Sequence, residues 1–235
     1  MSLRIGGTPI VGLRLGSTPI QQLRLGSTII WSASGAGIIR VDFNQADQIG
    51  LGADWTSHGG VSPYLASISS GYARINIPDG LLFLGLQEDR VRYNATTLPG
   101  DDGHIRVKIA SMGDGTGYFA ARSQAFRRLS NAAFTHGVGI ELSNSQLKIV
   151  RRVASVDTIM ANCGTYQPGD EADLVQAGDV HTMLLNGTDV GAWNDSGHTA
   201  SKGAGFLSIG LMFSGGKDGL GPRRFSPAFD YVEAA

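Results

Sequence analysis

Three short stretches of this 235-residue chain carry side chains able to do chemistry. Trp193-Asn194-Asp195 with His198 sets an indole, an amide, a carboxylate and an imidazole close together, and Trp55 with His58 and Tyr64 offers a similar mixture in a glycine-rich stretch. Such groups suit a sugar, whose C–H face stacks on an aromatic ring while its hydroxyls need directional partners. Trp193, Asn194, Asp195, His198, Trp55 and Tyr64 are therefore the candidate ligand-binding residues. The third stretch, Glu171-Ala172-Asp173, invites comparison with glycoside hydrolysis, in which two carboxyl groups flank one bond at about 5 Å. It follows Pro168-Gly169-Asp170, a turn signal. The pair is expected in a solvated acidic loop, and no catalytic residue is assigned.

Other chemistries find no footing. There is no Gly-x-Ser-x-Gly nucleophile. The five histidines, His58, His104, His136, His181 and His198, show no metal-ligand spacing. The single Cys163 excludes an intrachain disulfide and a cysteine-based zinc site. Gly113-Asp114-Gly115-Thr116-Gly117 offers one carboxylate where calcium takes about six to eight oxygens, so it reads as a hairpin turn. The expectation is a protein that is not an enzyme and uses no metal and no cofactor.

Strands must position these groups, because helical periodicity is almost absent. Ser123 to Phe134 is the best helix candidate and reads equally as a loop with one turn. Strand patterns run over 38–43, 72–77, 81–86, 91–94, 104–112, 117–123, 138–143, 146–153, 156–163, 181–185, 188–193, 206–213 and 227–232, parted by turns such as Pro-Asp-Gly and Asn-Gly. Ile105, Val107 and Ile109 alternate with His104, Arg106 and Lys108, which gives one dry face and one wet face. Leu207 to Phe213 is apolar on both faces and reads as a central strand. Glycine makes up 34 of 235 residues, twice the usual share of about 7%, as many turns between short strands require. The expected fold is all-β, a jelly-roll sandwich.

Ahead of the sandwich one decapeptide is written three times, as Leu3 to Ile10, Leu13 to Ile20 and Leu23 to Ile30, with Leu, Arg, Gly, Thr and Ile recurring at intervals of ten. Each copy reads as a short strand, a Gly-Ser-Thr turn and a second strand start. A hairpin this short has a thin apolar face and open edges, so it needs neighbours. Residues 1–34 are read as an oligomerisation or docking stem and 35–235 as the sandwich. Leu3, Ile5, Ile10, Leu13, Leu15, Ile20, Leu23, Leu25 and Ile30 are the expected contacts of a homotrimer.

The 19 basic and 20 acidic residues balance, which gives no electrostatic footprint for nucleic acid or an anionic membrane. Arg127-Arg128, Arg151-Arg152 and Arg223-Arg224 are expected at solvated strand ends or as interface ion-pair donors. Met1-Ser2-Leu3-Arg4 runs into the repeat without a basic-then-apolar signal pattern, so synthesis in the cytoplasm is expected.

Two segments resemble the concanavalin-like lectin/glucanase family. His181 to Asp195 is similar to that family's hairpin of strand, Asn-Gly turn and strand ending near an acidic residue, and Phe229-Asp230-Tyr231-Val232-Glu233 resembles the closing strand that pairs beside the N-terminal one. A decapeptide repeat followed by such a sandwich resembles minor tail or other virion appendage proteins of bacteriophages, especially those infecting actinobacteria. The resemblance implies a structural, oligomeric virion protein that meets other virion proteins and attaches to a host-surface polysaccharide. The alternatives are a capsid decoration or head-fibre protein with an architectural role and a polysaccharide depolymerase.

Overall fold

The computed structural model describes residues 37–79, 85–114, 121–217 and 221–235, together with the paired backbone strands of the N-terminal repeat. The chain forms two compact units, Met1–Ile38 and Ile39–Ala235.

In the first unit every decapeptide is one antiparallel hairpin. The strands are β1 (Arg4–Ile5), β2 (Thr8–Pro9), β3 (Leu13–Leu15), β4 (Thr18–Ile20), β5 (Gln22–Leu25) and β6 (Thr28–Ser32). Ile5 pairs with Thr8, Leu15 with Thr18 and Leu25 with Thr28, which leaves two residues for each turn. Ile5, Leu13, Leu15, Ile20, Leu23, Leu25 and Ile30 lie in these strands, whereas Leu3 and Ile10 fall outside the described residues.

The second unit holds β7 (Ile39–Asp42), β8 (Trp55–Ser57), β9 (Ala66–Ser69), β10 (Tyr72–Ile75), β11 (Gly85–Tyr93), β12 (Gly103–Ser111), β13 (Arg122–Leu129), β14 (Gly137–Ser143), β15 (Gln146–Val153) and β16 (Val156–Thr165). It continues with β17 (Glu171–Ala177), β18 (Val180–Leu185), β19 (Thr188–Asn194), β20 (Ser208–Lys217), β21 (Arg223–Arg224) and β22 (Ala228–Ala234). One sheet runs β19-β18-β17-β12-β22-β10-β9, with β7 also on β22. The other runs β16-β15-β14-β13-β20-β11-β8, with β21 on the end of β20. All pairings are antiparallel, and the fold is the expected all-β jelly-roll sandwich. The closing strand β22 lies beside β7, with Val232 opposite Val41.

Alternation builds the core. Ile105, Val107, Ile109, Ala172, Leu174 and Val232 of the first sheet meet Ala125, Val138, Ile140, Leu142, Ile149, Leu211 and Phe213 of the second. Phe213 and Phe229 join the two layers with ring centroids 5.3 Å apart. A two-residue turn of type I′ needs positive φ at both central residues, and Asn186 (51°) with Gly187 (79°) supplies it between β18 and β19.

Three expectations are corrected. Ser123 to Phe134 is no helix: Arg122–Leu129 is a central strand paired on both sides. Glu171 and Asp173 are not in a loop, because Glu171–Ala177 is strand β17, whose Ala172 and Leu174 enter the core. Arg127 and Arg128 are buried, at 0% and 1% exposure, instead of lying at a solvated strand end. Arg127 donates to the carbonyls of Gly100 (2.9 Å), Asp101 and Asp102 (2.6 Å), and Arg128 to those of Asp101 (3.0 Å) and Gly178 (2.9 Å). The loop carbonyls thus supply acceptors to two guanidinium groups that are themselves buried. Desolvation, with the neighbouring Arg128 charge, holds Arg127 down to about 10.

Candidate functional site

The outward face of the second sheet is divided in two. At one end Phe126, Leu129, Phe134, Val150 and Met212 form a small buried apolar cluster, with the rings of Phe126 and Phe134 edge to face at 5.5 Å. Beyond it the same strands carry charge. Register sets Gln124 of β13 opposite Glu141 of β14, Glu141 opposite Lys148 of β15, and Arg152 of β15 opposite Asp157 of β16. Paired residues share a face, so groups far apart in sequence converge.

Gln124 is the centre of this array. Fully buried, it donates from one amide nitrogen to Glu141 Oε2 at 2.7 Å and to Asp157 Oδ2 at 3.2 Å. The two acceptor oxygens are therefore separated by no more than the sum of those distances, about 6 Å. Arg122 lies over them, at 3.2 Å from Glu88, 3.5 Å from Asp157 and 3.6 Å from Glu141. Arg152 holds Asp157 at 2.8 Å, and Lys148 reaches Glu141 at 3.3 Å. The floor is dry, with Glu141 at 5% side-chain exposure, while Glu88 and Arg122 keep more than a quarter of their side chains in solvent. Such an array offers fixed donors and acceptors to a hydroxylated ligand laid across the sheet.

The outward face of the first sheet carries a second charged group. Arg106 of β12 stands 2.7 Å from Asp173, 3.3 Å from Glu171 and 3.5 Å from Glu233. Tyr231 donates its hydroxyl to Glu171, and Arg40 stacks on the Tyr231 ring at 3.8 Å. His104, joined by Arg40 and Arg106, holds Glu233 down to about 2 against the opposing effect of burial. Glu171 and Asp173 thus occupy alternate positions of one strand and share its outward face, where Glu171 is partly exposed and Asp173 is buried.

The residues expected to bind a ligand do not form one surface. Trp55 is 9% exposed and packs among Phe43 and Tyr93, at 6.4 and 5.2 Å between centroids. Tyr64 packs partly buried against the same core. Both rings thus serve the core. Trp193 is half-buried against the core and stacks on His181. Asn194 is exposed. Asp195 is 2% exposed and accepts from Thr199 N (3.0 Å), Thr199 Oγ1 (2.7 Å) and Ala200 N (2.6 Å), so it caps a turn. His198 is 75% exposed and stands 3.0 Å from Asp179. Sequence reading missed Gln124, Glu141 and Asp157. The signal for one of them is a polar residue between apolar ones in Ile140-Glu141-Leu142.

No family model and no curated protein matches the sequence. Solved structures do. A β-glucanase of Bacillus licheniformis matches with a TM-score of 0.54 at 12% identity, over 86% of this chain and 99% of that one. A prokaryotic β-1,3-1,4-glucanase (lichenase) derived from a mouse hindgut metagenome matches with 0.54 at 13% identity, over 84% and 98%. A Bacillus subtilis protein of unknown function with a galectin-like fold matches with 0.54 at 11% identity, over 86% and 97%. The expectation that the chain is not an enzyme is corrected here. It rested on a lack of paired strand carboxylates, whereas Glu171 and Asp173 form such a pair and structures of this fold include glucanases. These likenesses give the chain the concanavalin-like, galectin-like β-sandwich fold.

Proposed function

We propose that the chain is a bacteriophage attachment protein, in which a trimeric repeat stem docks to other virion proteins and the sandwich engages a host-surface polysaccharide on the charged face of its second sheet. The observation that carries the glycan reading is the partly exposed Glu88–Arg122 pair above the Gln124–Glu141–Asp157 floor. Fixed donors and acceptors in that arrangement match the hydroxyls of a sugar chain. The virion part is supported by the decapeptide repeat ahead of such a sandwich. A glycan array probed with the full chain tests the reading. Binding to host-wall glycan that weakens in Glu88→Gln, with an unchanged melting temperature, is the expected result; an array with no bound glycan overturns it.

A depolymerase is the second reading, favoured by the Glu141 and Asp157 oxygens at no more than about 6 Å. Retaining glycosidases hold their carboxyl groups about 5–5.5 Å apart. Incubation with the bound glycan and a reducing-end assay decides it: release that vanishes in Asp157→Asn supports cleavage, and no release removes it.

A further inference from the structure

The charged face of the second sheet ends in unmatched positive charge. Arg90 and Arg92 occupy alternate positions of β11 and share that face, while Val91 between them enters the core. On the neighbouring strand Thr56 lies opposite Arg92, and the backbone N–H of His58 donates to Arg90 O at 2.7 Å. The imidazole is thus set beside two guanidinium groups.

Neither arginine is neutralised as the others on this face are. Among the described residues Arg90 has one acidic contact, Nε to Glu88 at 3.3 Å, and Glu88 is shared with Arg122. Among the described residues no carboxylate lies within ion-pair distance of Arg92, whose hydrogen bond goes to the carbonyl of Tyr93 at 3.3 Å. Asp89, next to Arg90 in sequence, is spent elsewhere: it accepts from Ser57 Oγ (2.6 Å), Gly60 N (3.0 Å) and Ala66 N (2.8 Å). His58 Nε2, Arg90 Nε and Arg92 Nε are buried atoms without a hydrogen-bond partner. Burial and then the two guanidinium charges hold His58 below its ordinary range. Gly59 leaves room for the Arg90 guanidinium, because a Cβ there would stand 2.4 Å from its Nη2.

We propose that His58, Arg90 and Arg92 form an anion subsite at the β8 edge of the glycan face, so that the polysaccharide engaged there is acidic, with carboxylate or phosphate groups along its chain. The inference rests on the glycan reading of the same face. Guanidinium groups present a planar fork of donors that matches either anion, and two of them at alternate strand positions face the ligand together.

Binding of the full chain to polygalacturonate, to its methyl-esterified form, to poly(glycerol phosphate) and to polyglutamate tests it. The expected result is affinity about tenfold higher for polygalacturonate or poly(glycerol phosphate) than for the ester, with the better of the two polyanions naming the anion. Arg92→Gln abolishes that preference, and Arg40→Gln, which removes a cation from the other sheet, leaves it in place. Equal binding to polygalacturonate and its ester overturns the subsite and leaves the glycan reading standing. Polyglutamate bound as tightly as those two polyanions also overturns it, since any polyanion would then suffice. No binding to any of the sugar polymers counts against the glycan reading itself.

Discussion

The imidazole of His181 lies flat against the indole of Trp193, with ring centroids 4.7 Å apart and planes 15° from parallel. His181 is fully buried with neither ring nitrogen hydrogen-bonded. Desolvation, with the charge of Arg128, holds it down to about 4. The stack joins β18 to β19 at the sheet's edge, so Trp193 is a packing residue as much as a surface one. Trp193→Ala is expected to cost roughly 2–4 kcal/mol, read as a shift of the urea midpoint. A variant of wild-type stability would return the indole to a purely ligand-facing role.

The same histidine makes the domain acid-sensitive. Its folded pKa, about 4, lies below the unfolded value near 6.5, so between them the unfolded state binds more protons and stability falls as pH drops. The gap corresponds to roughly 3 kcal/mol. Glu233, held to about 2, contributes stability above its unfolded value that is lost as pH falls from about 4.5 toward 2. Urea midpoints should decline from pH 6.5 to 4 and decline less in His181→Phe. A midpoint that does not move across that window would show the imidazole to be hydrated.

Gln124→Glu should be strongly destabilising. It replaces a donor shared by Glu141 and Asp157 with a third carboxylate, and like charges brought together in a dry site repel. The expected signature is a loss of about 3 kcal/mol at neutral pH that shrinks on acidification, opposite in trend to the wild type. Equal stability at pH 7 would mean that the floor admits water.

Ala154 and Ser155 form the two-residue turn between β15 and β16 with φ of 48° and 69°. Residues with a Cβ pay roughly 1 kcal/mol in the left-handed region. Ala154→Gly is therefore expected to be neutral or to raise the melting temperature by a few degrees, in contrast to most glycine substitutions in strands. Calorimetry that finds a clear fall would show that the methyl group packs.

Removing residues 1–34 is expected to convert a trimer to a monomer in light scattering, and Leu15→Asp should act in the same direction more strongly than Arg14→Asp, since an unpaired buried carboxylate is costly. A trimeric sandwich without the repeat would move the contact out of the stem.

What could be read from the sequence was what local chemistry determines. Asn186-Gly187 announces its hairpin because a type I′ turn demands positive φ from both residues, and Gln146–Val153 shows its strand by alternation alone. Strand β17 was hidden because a turn signal precedes it and because alanine is the smallest apolar signal on its inner side. Its charges are supported by partners at distant positions, Arg106 opposite Asp173 and Lys108 opposite Glu171. The charged face was hidden for the same reason: Gln124, Glu141 and Asp157 meet only through the registers of four strands. Arg127 and Arg128 read as surface residues because their acceptors are backbone carbonyls, which no side-chain pattern reveals.

Every decapeptide of the first unit closes on itself, and no ladder among the described strands runs from one copy to the next. Copy number is thereby uncoupled from strand register. A gain or loss of ten residues adds or removes one complete hairpin, whereas a change that is not a multiple of ten would break the hairpin pattern. Repeat variants should accordingly differ by whole units, and such variation can accumulate without altering a residue of the sandwich.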